Sequence, residues 1–204
     1  TQLGFFNVPR DSDSVVRRIP LVVGFLYSNS VTRIVRKAFV PSLAMLTAMM
    51  HLGFTAPFAT TNPLPVEVFF GREIILRPPG KPEYRVPIDQ HGNLHLDFNA
   101  DYVDFNIVSF GDVAPSYRDT QERERDVIAQ GFRDQIDRHA VLIGAVATGL
   151  GDIGACPLSS QTPLVYVHAM AVNNILEQSF RIPLRYPWVL ALALFLVFTA
   201  LCLQ

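Results

Sequence analysis

Ala140-Val-Leu-Ile-Gly-Ala-Val146 is an unbroken apolar run, with charge before it at Asp137-Arg138 and glycine after it at Gly149. A short run bounded in this way reads as a strand buried on both faces of a sheet. Leu164-Val-Tyr-Val167 repeats the pattern and is expected to lie beside it as a second core strand. Upstream, Asp119 to Arg138 is amphipathic, because Ile128, Phe132 and Ile136 recur every four residues. It reads as a helix, with Asp119 and Glu122 at its N-terminal cap. Downstream, His168 to Gln178 reads as another helix. Strand and helix alternate, so the expected class is α/β: a mixed central sheet flanked by helices.

The N-terminal part is richer in short strands and turns. Leu3 to Val8 is a short apolar run, and Arg10-Asp-Ser-Asp-Ser14 is a polar turn. Val15 to Phe25 is β-branched and apolar around Arg17-Arg18, and Pro20 argues for an edge or a bend. Pro41 can stand in the first turn of a helix that runs to Leu52, with Gly53 as its C-terminal cap. Val66–Phe70, Glu73–Arg77 and Leu94–Phe98 read as strands. The turn Asp89-Gln-His-Gly-Asn93 is expected to join Val86–Ile88 to Leu94–Phe98 as a hairpin. Asn106–Phe110 reads as one more short strand. The 15 Pro and 15 Phe of this 204-residue chain suit many strands and turns more than a helical bundle.

The chain closes on Trp188-Val-Leu-Ala-Leu-Ala-Leu-Phe-Leu-Val-Phe-Thr-Ala-Leu-Cys-Leu203, apolar on every face. From Pro187 this is about 26 Å of helix, the lower limit for crossing a hydrocarbon core. It reads as a truncated transmembrane helix over 186–204. Tyr186 and Trp188 suit the interface, and Arg181 and Arg185 lie just outside. The alternative is a buried C-terminal helix. Thr1-Gln-Leu-Gly-Phe-Phe has no initiator Met, no basic region and no cleavage site. Both ends read as cut, so the expectation is a fragment of a longer protein.

With Lys+Arg 17 against Asp+Glu 18, the net charge is -1, which excludes the basic footprint of a nucleic-acid partner. Cys202 lies in the apolar tail and Cys156 in a loop, so no disulfide framework is expected. Gly149-Leu-Gly-Asp-Ile-Gly154 matches a dinucleotide fingerprint by letter. The glycines should then open a helix, whereas two prolines follow, at Pro157 and Pro163. His91 and His95, flanked by Asp89 and Asp97, have metal-ligand chemistry, but the turn between them reads as solvated, so no metal is assigned. No catalytic group and no cofactor are assigned. Asp152 and His168 each follow a predicted core strand, where open α/β sheets collect ligand-binding groups. Gly149, Gly151, Asp152 and His168 are therefore the candidate ligand-binding residues. Backbone N–H groups there favour an anionic or polar ligand. The alternative is that Asp152 caps a loop and His168 is a buried hydrogen-bonding residue.

Five segments, in order, carry a resemblance. They are Phe6-Asn-Val-Pro-Arg-Asp-Ser-Asp-Ser-Val-Val-Arg-Arg-Ile-Pro-Leu21, Pro41-Ser-Leu-Ala44, Pro87-Ile-Asp-Gln-His-Gly92, Ala140 to Asp152, and Val167-His-Ala-Met-Ala-Val-Asn-Asn-Ile-Leu176. Together they resemble the CHASE2 domains, extracytoplasmic sensors of bacterial membrane receptors. The resemblance implies a sensor over 1–182 lacking its N-terminal part, then a first membrane helix. It places residues 1–185 outside the cytoplasm of an inner membrane, periplasmic or extracellular. It also implies a homodimer formed through the full receptor, an unknown small-molecule or environmental signal, and a missing cyclase or kinase output domain. Ser14 stands where the family has Gly. The acidic residue that precedes the family's histidine is absent before His168, and Met170 replaces an Asn. The competing readings are a membrane-anchored nucleotide-binding or hydrolytic enzyme built on Gly149–Gly154, and a purely structural dimerisation domain.

Overall fold

A computed structural model describes residues 4–28, 35–55, 65–100, 104–109, 136–146, 152–183 and 186–202. Its strands are β1 (Arg18–Pro20), β2 (Val22–Ser28), β3 (Val35–Pro41), β4 (Val66–Phe69), β5 (Glu73–Leu76), β6 (Tyr84–Pro87), β7 (Asn93–His95), β8 (Ile153–Gly154) and β9 (Thr162–Pro163). Its helices are α1 (Leu43–His51), α2 (Leu164–Glu177) and α3 (Tyr186–Cys202).

Helix α1 starts where the sequence supplies a cap. Ser42 is extended, and its hydroxyl accepts a hydrogen bond from the Met45 amide at 3.2 Å. That bond satisfies one of the N–H groups that a helix start leaves free. The helix ends at Leu52, and Gly53 takes φ +94°, a conformation that costs glycine little. Ala44, Met45, Ala48 and Met49 are buried, and this face packs along α2.

The organising segment is residues 15–22, with Val16, Ile19 and Leu21 fully buried. On one side β1 pairs antiparallel with β7, Ile19 opposite Leu94. On the other, Val15 bridges Ala155 in parallel, and the Val16 amide donates to the Ala155 carbonyl at 2.8 Å. A bend at Leu21 then leads into β2, which pairs with β3 from Val22–Pro41 to Ser28–Val35. Strands β4, β5 and β6 form an antiparallel meander. The pairing is thus mixed, but among the described residues it lies in small sheets rather than one central sheet.

The two runs expected to be central strands are not strands. Leu164–Val167 is the first turn of α2, because a four-residue apolar run carries no periodicity that separates a strand from a buried helix start. Among the described residues, 140–146 pair with no strand and are largely exposed, Ile143 at 83%. Leu142 packs on the core, while a Cβ on Gly144 would lie 2.5 Å from Val165 Cβ. The segment therefore crosses over the start of α2 without a ladder. Among the described residues of the expected Leu3–Val8 strand, Phe5 bridges Ser42 and none lies in a strand. Residues 106–109 are irregular, and most of the helix expected over 119–138 lies outside the described residues. The turn at 89–92 closes as expected, but its two arms part: β6 joins β5 and β7 joins β1.

No helix among the described residues is long and apolar enough to cross a membrane. The C-terminal segment is helical over 17 residues, about 26 Å against a core of about 30 Å. From Val189 to Phe198 its side chains lie open: Leu194 is 69% exposed and Phe198 65%.

Candidate functional site

Helix α2 carries polar groups of different kinds near its two ends. Near the start, His168 is buried, with 4% of its surface exposed. Its Nε2 lies 3.0 Å from the Phe6 carbonyl. A carbonyl only accepts, so Nε2 carries the proton and Nδ1 is left as a bare acceptor. Nδ1 is buried and, among the described residues, has no hydrogen-bond partner. Burial holds the ring below the ordinary imidazole pKa, opposed by the Phe6 bond and the charge of Asp152. His168 thus stays neutral at pH 7 and ties the N-terminal segment to α2.

Asp152 is exposed, and its backbone makes the local contact. Its carbonyl accepts from the Leu164 amide at 3.0 Å. Pro163 at the N-cap offers no side-chain cap, so this bond satisfies one of the free N–H groups of the helix start. The sequence placed Asp152 and His168 together, and the structure does bring them close. The route is a loop capping a helix, not two strand ends side by side. Gly149 and Gly151 lie outside the described residues. Gly154 enters β8 and is followed by a turn, so the helix that a dinucleotide fingerprint must open is not there.

At the far end of α2 the buried polar group is met on both sides. Asn174 is fully buried; its Oδ1 accepts from the Asp97 amide at 2.9 Å and its Nδ2 donates to the Asp97 carbonyl at 3.0 Å. The Asp97 carboxylate accepts from Ser179 Oγ at 2.7 Å and from Arg181 Nε at 2.6 Å. Those two donors, the hydroxyl first, hold its pKa below the ordinary carboxylate value. Sequence reading missed this cluster. Asp97 stood out only as a neighbour of His95, and nothing local links it to Asn174.

A third cluster explains the Arg-Arg pair in the first segment. Arg17 grips Asp13 with both Nη atoms, at 2.9 and 2.7 Å, and Arg18 Nε meets Asp11 at 2.7 Å. The Arg17 hydrogen bond pulls Asp13 to a pKa of about 2. Ser14 holds φ +65°, the left-handed conformation for which glycine is the unstrained residue. His91 sits in the solvated turn, where its amide donates to Asp89 Oδ1 at 2.8 Å.

The family model of the CHASE2 domain matches residues 1–203. No curated protein matches the chain, and no solved structure does.

Proposed function

Because the chain belongs to the CHASE2 family, a family of extracellular sensory domains, we propose that residues 1–182 form the sensor of a bacterial membrane receptor, held outside the cytoplasm. Residues 186–204 begin the membrane-embedded part and lead toward a cytoplasmic output domain, a cyclase or a kinase. The receptor works as a homodimer. The observation that carries this reading is that the family match runs on through α3, a helix apolar on all faces whose side chains from Val189 to Phe198 are open. A globular helix keeps a polar stripe, and α3 has none. Its length does not complete a span by itself, so the reading includes further apolar residues or a locally thinned bilayer. The test is a phosphatase reporter fused after Arg185 in the full receptor. Activity only in exported fusions supports the placement; a reporter active only in the cytoplasm overturns it.

In this reading Gly149, Gly151, Asp152 and His168 contact the signal. What supports it is the unpartnered Nδ1 of His168, an acceptor that a ligand donor can meet. Asp152→Ala and His168→Ala in the full receptor test it. A signal response unchanged by both substitutions makes these residues structural.

A further inference from the structure

On the face near the other end of α2 lies an open cleft of about 460 Å³. That is within the range of small-molecule sites. Its walls are the β4–β5 turn with Arg72, the β6–β7 turn with Asp89 and Gln90, β7 with His95, and residues 181–183, the path from α2 toward α3. The two turns are fixed to each other. The Gly71 amide donates to the Asp89 carbonyl at 2.9 Å, and the Ile88 amide to the Arg72 carbonyl at 3.1 Å.

The charged hydrogen-bonding capacity left in this cleft is cationic, beside the polar side chains of Gln90 and His95. Arg72 spends Nε on Glu73 at 3.1 Å, and Glu73 is also shared with Arg85. Arg181 spends Nε on Asp97 at 2.6 Å. Among the described residues, neither guanidinium commits its Nη atoms. The acidic group of the cleft, Asp89, is occupied. It accepts from the amides of His91 and Asn93 and from Asn93 Nδ2, and faces Arg18 at 3.5 Å. Two guanidinium edges with free donor pairs match the two oxygens of a carboxylate or a phosphate.

We infer that this cleft is an oxyanion site, in which Arg72 and Arg181 take the carboxylate or phosphate groups of one small ligand. The inference rests on the sensory reading and deepens it. Arg181 lies on the connector between Glu177 and Tyr186. An anion gripped there acts on the segment that leads into α3, and competes with Asp97 for the same guanidinium. The oxyanion belongs either to a free small molecule or to a lipid headgroup, since α3 begins close by in sequence.

The test uses the full chain in phosphatidylcholine nanodiscs, with thermal melting in inorganic phosphate and in citrate. The variants are Arg72→Gln and Arg181→Gln, with Arg85→Gln as a control outside the cleft. The expected result is a rise in Tm with at least one anion. Each cleft variant should weaken the apparent affinity about tenfold, the loss of one charged hydrogen-bonding group, with Arg85→Gln unchanged. A rise on adding phosphatidylglycerol alone, lost in Arg72→Gln, assigns the oxyanion to a lipid and also supports the site. No stabilisation by any of the three, or stabilisation of both cleft variants equal to that of the unaltered chain, overturns it. Should Arg181→Gln unfold for want of its Asp97 pair, Arg72→Gln decides alone, since Glu73 keeps Arg85. Anion binding in a chain whose reporter is cytoplasmic would overturn the sensory placement and leave the site standing. Export without binding does the reverse.

Discussion

The two ends of α2 are built on opposite principles. At its C-terminal end, Asn174 buries an amide that meets both backbone groups of Asp97, and Ser179 and Arg181 close the carboxylate. Near its N-terminal end, His168 buries a ring with one nitrogen bonded and the other bare. Satisfied buried networks fix a structure, and unsatisfied ones mark where it can give. The C-terminal end therefore anchors the helix to the segment that follows β7, and the N-terminal end is where protonation or a ligand can change its hold. The contrast gives a sensor one fixed point and one adjustable point on a single helix.

The largest effect expected is at the anchor. Asn174→Ala leaves the amide and carbonyl of Asp97 without their buried partners and should cost about 3 kcal/mol. Its denaturant midpoint measures this, and a loss below about 1 kcal/mol would mean that the C-terminal end is no firmer than the other. Next in size is Gly144→Ala. Its new methyl meets the stiff, branched Val165 side chain at 2.5 Å, for an expected cost of about 1–3 kcal/mol. A neutral result would show that residues 140–146 lift away from α2 freely.

A smaller effect is expected from pH. The pKa of His168 is lowered on folding, so the unfolded chain binds the proton more readily. The neutral ring's contribution is present above the unfolded value of about 6.5 and is lost as pH falls toward the lower folded value. Melting curves from pH 7.5 to 5 should show this decline, and His168→Gln should flatten it. The smallest effect is a gain. Ser14→Gly removes a side chain held at φ +65° and should stabilise the domain by up to about 1 kcal/mol, less the added freedom of the unfolded glycine.

What could be read from sequence was local. Gly53 announced the end of α1 and Asp89 to Gly92 announced a turn, because capping and turn chemistry act within a few residues; Pro41, expected in the first turn of α1, instead closes β3, and Ser42 caps the helix. What could not be read depended on distant pairs. Asn174 meets Asp97 across 77 positions of sequence, and His168 meets Phe6 across 162. Arg17 and Arg18 stood as charges inside the apolar run from Val15 to Phe25, in which Pro20 argued for an edge or a bend. The partners that neutralise them, Asp11 and Asp13, were in view only as a polar turn. The apolar runs at 140–146 and 164–167 misled for a different reason. Hydrophobicity says that a residue can be buried but not which element buries it, and 140–146 is mostly not buried at all. His168 was legible as a residue of interest; its orphaned Nδ1 was not, since that depends on what surrounds the ring.

The most direct test of the two-ended helix is amide hydrogen exchange, read as protection factors at pH 7.5 and 5.5. The probes are the Asp97 amide, held by Asn174, and the Leu43 amide, held by the Phe5 carbonyl at 2.7 Å, one residue before the carbonyl that His168 grips. The expected result is a protection factor for Asp97 that is the higher of the two and changes little, while that of Leu43 drops at the lower pH. Equal loss at both amides, or a drop at Asp97 alone, would contradict the assignment of a fixed and an adjustable end.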